Sequence, residues 1–238
     1  RRNHYGENTA LLAQMVIRYE DGTEELFVTD ESWSGADAPV VFAEIYDGEI
    51  YDGAKEIKGW SEAGCTAGQW KPVRKLDYDF SVLTGQGSGK VSLMDEVKPK
   101  EIFETPEGDL VIDFGQNMSA LIQVTATGKK GDVIRLDCFE VLDSKGNVYL
   151  DNLRGAKESL QYTFGEDGTI TYRPSFTFMG FRYAKIVSFP GTPEPGNFIA
   201  HAIHTNMERT GFLETSNPDL NQLAHNILWG LKSNFVDV

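Results

Sequence analysis

The 238-residue chain has only two cysteines and four histidines, and 22 lysines and arginines stand against 36 acidic residues. Each shortage removes a class of function. A formal net charge of −14 repels phosphate backbones, and Lys129-Lys130, the densest basic pair, reads as a hairpin tip, so a nucleic-acid partner is excluded. No apolar run approaches the roughly 20 residues that a membrane helix requires, so no membrane partner is expected. Neither cysteine has a neighbouring histidine, and no G-x-S-x-G or phosphate-loop pattern occurs, which leaves no local nucleophile. His201 and His204 stand three apart on an expected strand and point to opposite faces, so they cannot share an ion. His4 and His225 have no partner at useful spacing, and no metal site is expected from the residues.

Few limits follow from Cys65, in a glycine-rich loop, or from Cys138, which alternation places on the apolar face of Ile134 and Leu136. A buried thiol is expected at Cys138, and a disulfide between the two stays open. There is no initiator methionine, and the first strand-like run begins within about ten residues of the start. A shortened N-terminus is therefore expected, and the compartment cannot be judged from a leader.

What the chain has in quantity is strand signal. Residues 11–19 alternate, Asp21-Gly22 supplies a hairpin turn, and residues 23–29 return. Further runs lie at 91–97, 110–113, 121–127, 133–141, 159–164, 169–172, 181–188 and 197–204, punctuated by glycine and aspartate. Short strands with turns about every 8–12 residues predict sandwiches or jelly rolls. The fold class expected is mainly β: two jelly-roll-like β-sandwich domains in series plus one C-terminal amphipathic helix. Residues 81–89 carry no periodicity and set the boundary, giving domains 1–85 and 90–206 and a segment 207–238.

That last segment is helical by pattern. Asn217 is a good N-cap, Pro218 suits the first helical position, and Asp219 favours the positive end of the helix dipole. Leu220, Leu223, Ile227, Leu231 and Phe235 recur at helical spacing, widened by Ala224 and Leu228. A sandwich needs no such stripe. It is therefore expected to meet a further helical domain and, on this segment alone, either to fold back on its own sandwich or to pair with the same helix of a second copy in a homodimer.

Aromatic side chains are common sugar platforms, and Trp33, Tyr46 and Tyr51, with Trp60 and Trp70, stand in the first 85 residues. Core packing is the plainer reading of each; Trp33, Tyr46 and Tyr51 are the candidates for sugar binding. Glu140 shares the inward face of its strand and needs a partner there, for which Arg154 and Arg182 are the candidates. Asn152 and Arg154 follow on a loop, as candidates for a domain interface.

Three clusters in order then carry a resemblance: Asp113-Phe114-Gly115-Gln116-Asn117, Asn152-Leu153-Arg154-Gly155-Ala156, and Tyr172-Arg173-Pro174-Ser175-Phe176 running on to Gly180-Phe181-Arg182-Tyr183. Ahead of them stand Thr29-Asp30 with Trp33, Gly48-Glu49-Ile50-Tyr51-Asp52, Gly59-Trp60 and Trp70-Lys71-Pro72-Val73. Met207-Glu208-Arg209-Thr210-Gly211-Phe212 leads into Ser216-Asn217-Pro218-Asp219 behind them. Together these resemble the accessory β-sandwich region ahead of the catalytic barrel in bacterial α-L-rhamnosidases, glycoside hydrolase family 78. Gly53-Ala54-Lys55 departs from the Ala-Arg pair usual after the Tyr-Asp step.

The resemblance implies an inverting hydrolase of terminal α-L-rhamnose. Its acid and base glutamates lie on an (α/α)6 barrel, with carboxyls about 6.5–9.5 Å apart. It places no catalytic residue in this segment. The implied partners are a rhamnose-containing carbohydrate and the barrel of the same chain. Some relatives bind rhamnose with calcium in the first domain, but no ligands can be assigned to this sequence. The rival expectation is an autonomous carbohydrate-binding or adhesive β-sandwich protein with no catalytic domain.

Overall fold

The computed structural model describes residues 7–85, 87 and 89–236. His4, and Gln86 and Ser88 of the expected boundary, lie outside them. The strands in chain order are β1 (Gln14–Arg18), β2 (Glu24–Val28), β3 (Ser34–Gly35), β4 (Val40–Glu44), β5 (Gly48–Asp52), β6 (Lys71–Pro72), β7 (Val91–Val97) and β8 (Glu101–Glu104). They continue with β9 (Leu110–Gly128), β10 (Val133–Phe139), β11 (Val141–Leu142), β12 (Val148–Tyr149), β13 (Ser159–Thr163), β14 (Gly168–Tyr172), β15 (Met179–Ser188) and β16 (Phe198–Thr205). Helix α1 (Pro218–Asn234) follows.

The chain divides into two compact units, residues 1–38 with 57–85, and 39–56 with 86–238. The first holds two ladders. β1 and β2 form the expected hairpin, with Gln14 opposite Val28 and Arg18 opposite Glu24. Its turn works because Gly22 takes φ +84° while the Asp21 carboxylate accepts the Thr23 N–H. β3 pairs with β6. No described residue of this unit is buried. Trp33, Trp60 and Trp70 are therefore not core residues of their unit, contrary to the plainer expectation, because its described ladders close no second layer over them.

In the second unit ten strands form one curled sheet, ordered β4-β5-β13-β10-β15-β9-β16-β7, with β8 and β14 also paired to β9. The fold is mainly β with a single described helix. The 19-residue β9 organises it. One edge carries β15 and then β14, and the other carries β8 and then β16. From Met118 to Ala126 its burial alternates strictly, and Met118, Ala120, Ile122 and Val124 face a core shared with Ile134, Leu136, Leu160, Phe181 and Phe198.

Val111 to Phe114 are all buried. There a second cluster, Val111 with Phe139 and Tyr183, covers the opposite face and is flanked by Leu142 and Val148 of the small β11–β12 ladder. A strand buried on both faces loses its alternation.

Residues 39–56 group with the second compact unit, where β5 runs parallel to β13. Glycine permits this. A Cβ at Gly48 (φ +101°) would lie 1.9 Å from the Ser159 carbonyl oxygen.

Candidate functional site

The motifs that carry the family resemblance turn out to be neighbours. Asp113 on β9 faces Tyr183 on β15, and the register then jumps to Met118 opposite Phe181. The residues Phe114 to Asn117 form the resulting bulge, which Gly115 permits with φ +74°. Arg182 grips the buried Asp113 carboxylate through two hydrogen bonds of 2.8 Å, and the Gly115 N–H adds a third. Burial pushes the Asp113 carboxyl up, but the Arg182 and Gly115 donors outweigh it and hold the group below the usual carboxylate range. Phe114 meets Phe181 edge to face, and Arg182 lies over the Tyr183 ring.

Arg182 is thus committed to Asp113. Glu140 has a different pair of partners: the Asn117 amide at 3.0 Å and the Asn152 amide at 2.8 Å. The expected arginine partner for Glu140 is corrected accordingly. Its face at the strand end is only half-buried, so neutral donors suffice where a deep carboxylate would need a cation. Arg154, exposed, turns the chain at φ +60°.

Glu158 completes this cluster. Its backbone takes φ +44°, its carbonyl accepts the Cys138 N–H, and its N–H donates to the Tyr46 carbonyl. One side-chain oxygen, Oε2, is sealed from solvent with no hydrogen-bond partner. Burial, reinforced by the nearby Glu140 charge, pushes its carboxyl up to about 7. Burial with the Glu158 and Asp137 charges likewise raises the Cys138 thiol, which is the expected buried cysteine. A carboxyl near 7 beside a second carboxylate has the electrostatics of an acid–base pair. A sealed oxygen, however, cannot reach a substrate in this conformation.

Tyr46 stands beside the cluster, its ring exposed and its turn fixed by Glu44 Oε2, which accepts the Tyr46 and Asp47 N–H groups. Lys157 closes that turn with a 3.0 Å ion pair to Asp47. The structure therefore joins Asn152 to Glu140, while Tyr46 meets the neighbouring Lys157 and Glu158 only through its backbone carbonyl. Trp33 belongs to the other unit. Tyr51 does not fit a platform role. It stacks on Tyr162 at 5.2 Å, tilts against Tyr172, and donates its hydroxyl to Glu56.

The residue that sequence reasoning missed is Glu49. Although 1% exposed, its carboxylate accepts the Tyr172 hydroxyl and the Ser175 and Phe176 N–H groups. Burial and this hydrogen bond push the Tyr172 hydroxyl up. The only signal was its place in Gly48-Glu49-Ile50-Tyr51-Asp52, where alternation on a short strand hints at an inward carboxylate.

Helix α1 is capped as expected, with the Asn217 side chain accepting the Asp219 N–H at 2.9 Å. It folds back on its own sheet. Trp229 packs against the core, Lys232 pairs with Asp95 at 2.6 Å, and the Ser119 hydroxyl donates to the Ser233 carbonyl. The side used is that of Ala224, Leu228 and Trp229. Leu220, Leu223, Ile227, Leu231 and Phe235 stay exposed. Asp95 also lies 3.8 Å from His204, whereas His201 approaches Glu96, as opposite faces of β16 require. Among the described residues no three His, Cys, Asp or Glu side chains converge to hold an ion, so none is assigned to calcium.

Two family models match in tandem. The alpha-L-rhamnosidase N-terminal domain covers residues 1–95, and the bacterial alpha-L-rhamnosidase concanavalin-like domain covers 103–204. The chain belongs to the bacterial α-L-rhamnosidase family. The crystal structure of the Streptomyces avermitilis α-L-rhamnosidase complexed with L-rhamnose is 38% identical, with a TM-score of 0.93 over 98% of this chain and 23% of that one. The native enzyme from Aspergillus terreus is 35% identical, with a TM-score of 0.89 over 94% of this chain and 26% of that one. An α-L-rhamnosidase of an Alteromonas species is 34% identical over 95% of this chain and 25% of its own length. The rhamnosidase relatives are thus about four times as long as this chain.

Proposed function

We propose that this chain is the accessory, non-catalytic portion of an inverting α-L-rhamnosidase that removes terminal α-L-rhamnose from glycosides or polysaccharides. The observation that carries the reading is the tandem match of the two rhamnosidase domain models, which together span most of the chain. The exposed stripe of α1 supports it, being suited to an apolar surface of a helical catalytic domain. The Glu140–Asn152 cluster, with Arg154 on its loop, is read as a second contact to that domain. Trp33 and the exposed Tyr46 are its candidate sugar contacts, and the L-rhamnose in the Streptomyces complex favours the same ligand here.

The 238-residue chain is expected not to cleave an aryl α-L-rhamnoside, since each missing proton-transfer group withholds about 10²–10⁴-fold in rate. Tryptophan and tyrosine fluorescence under L-rhamnose, with and without calcium, reads binding separately. Turnover that Glu140→Gln or Glu158→Gln abolishes would overturn the assignment and place the chemistry in the cluster itself.

A further inference from the structure

The Tyr172-Arg173-Pro174-Ser175-Phe176 run is only partly absorbed by Glu49. Its other residues open onto a groove of about 460 Å³ on the outward face of β14, β9 and β7, within the roughly 300–1,000 Å³ usual for small-molecule sites. Leu93 and Leu121 give it an apolar floor, Gln123 and Thr171 add an amide and a hydroxyl, and Arg173, Pro174 and Ser175 form one wall.

Three features mark it as a built site. First, the wall is pinned from behind. Glu49 accepts the Tyr172 hydroxyl on one side of Arg173 and the Ser175 and Phe176 N–H groups on the other, and Pro174 fixes the backbone between them. Second, Arg173 is exposed and has no ion-pair partner among the described residues. Third, His201 lies opposite Leu121 in the β16–β9 register and so shares the groove's face. It is 7% exposed, yet its Nε2 has no hydrogen-bond partner. Burial and the Arg173 charge both push this imidazole down, against the weaker pull of Glu96.

We infer that this groove binds a uronic acid unit of a glycan, with the Arg173 guanidinium taking the sugar carboxylate. A planar two-point donor suits a carboxylate. Gln123, Thr171 and Ser175 supply donors and acceptors for ring hydroxyls, and the two leucines meet the apolar C–H face. One unpaired cation in a chain of net charge −14 tolerates a single carboxylate and repels a polyphosphate.

None of these residues lies in the Glu140 cluster or on the helix stripe, so the site stands or falls apart from the rhamnosidase reading. The test is titration of the 238-residue chain with methyl glucuronoside, methyl glucoside, L-rhamnose, acetate and sulfate, followed by the methyl NMR signals of Leu93 and Leu121. The glucuronoside should shift both signals and bind about tenfold tighter than the glucoside, as expected for one charge-assisted contact. Arg173→Gln should erase that difference while leaving the circular dichroism spectrum unchanged, and Arg173→Lys should restore only part of it. Equal affinity for glucoside and glucuronoside would overturn the inference. So would acetate or sulfate matching the glucuronoside, which would reduce the groove to a simple anion site, or an absence of shifts at tens of millimolar.

Discussion

Glu158→Gln is the substitution with the most informative sign. Glu158 holds a carboxyl raised to about 7 by burial first and by Glu140 second. A carboxyl whose folded pKa lies above its unfolded value favours the folded state only while protonated. Its contribution is whole below the unfolded value and is lost as pH rises through the folded one, so stability should fall between about pH 4.5 and 7 and then level off. A displacement of that size in a fully sheltered group corresponds to about 3 kcal/mol. Glu158 is only partly sheltered, so solvent screening reduces this to ~1–2 kcal/mol. Glutamine keeps the shape and cannot ionise.

The variant should therefore match the parent near pH 4.5 and exceed it by ~1–2 kcal/mol at pH 8, or a few degrees of melting temperature for a chain of this size. Thermal unfolding followed by circular dichroism across that range is the assay. A variant that is equally destabilised at every pH would refute the reasoning, because Glu158 would then be accepting an essential hydrogen bond rather than bearing an unpaired charge.

Gly48→Ala should be severe, costing more than about 3 kcal/mol, because it combines positive φ with a direct backbone collision; soluble yield and a urea midpoint check this, with Gly22→Ala, which meets no neighbouring atom, as the milder control. On the helix, Leu223→Glu with Ile227→Glu should leave the melting temperature within about 2 °C, since both side chains are exposed. It should also abolish any dimer seen by light scattering, whereas Trp229→Ala, which packs on the core, should cost about 1–3 kcal/mol. A double variant as unstable as Trp229→Ala would mean the stripe is buried in solution.

The sequence was most legible where one physical rule acted alone. The Asp21-Gly22 hairpin, the alternating run 121–127 and the Asn217 cap each follow from local chemistry and are where they were expected, whereas the separate run at 110–113 proves to be the start of the same strand, β9. It was least legible where two elements distant in sequence meet. Nothing in the residues near position 49 announces that its carboxylate is satisfied by residues 172–176, more than 120 positions away. The same holds for Glu140, whose inward face was legible but whose amide partners were not. The helix shows a third case. Periodicity identified an apolar stripe, but the side that packs on the sheet is the one bearing Trp229 with Ala224 and Leu228, the edge of the stripe rather than its centre.

The family motifs themselves are architecture. Asp113 and Arg182 are two ends of one ion pair, Gly115 lies in the bulge that Phe181 borders, Gly48 permits one parallel pairing, and Glu49 ties that strand to residues 172–176. A buried ion pair adds little net stability over an apolar pair, yet losing one member leaves the other charge stranded. Such residues therefore fix register rather than chemistry: a slip of β15 by one residue would carry Arg182 to the opposite face and leave Asp113 buried without a cation. That register sets where β9 begins its C-terminal half and where β14 and β16 lie. It thereby determines the position of Leu121 and Gln123 beneath Arg173. The groove and the Glu140 cluster are consequences of the same two strands, and Asp113→Asn should loosen both, whichever ligand each accepts.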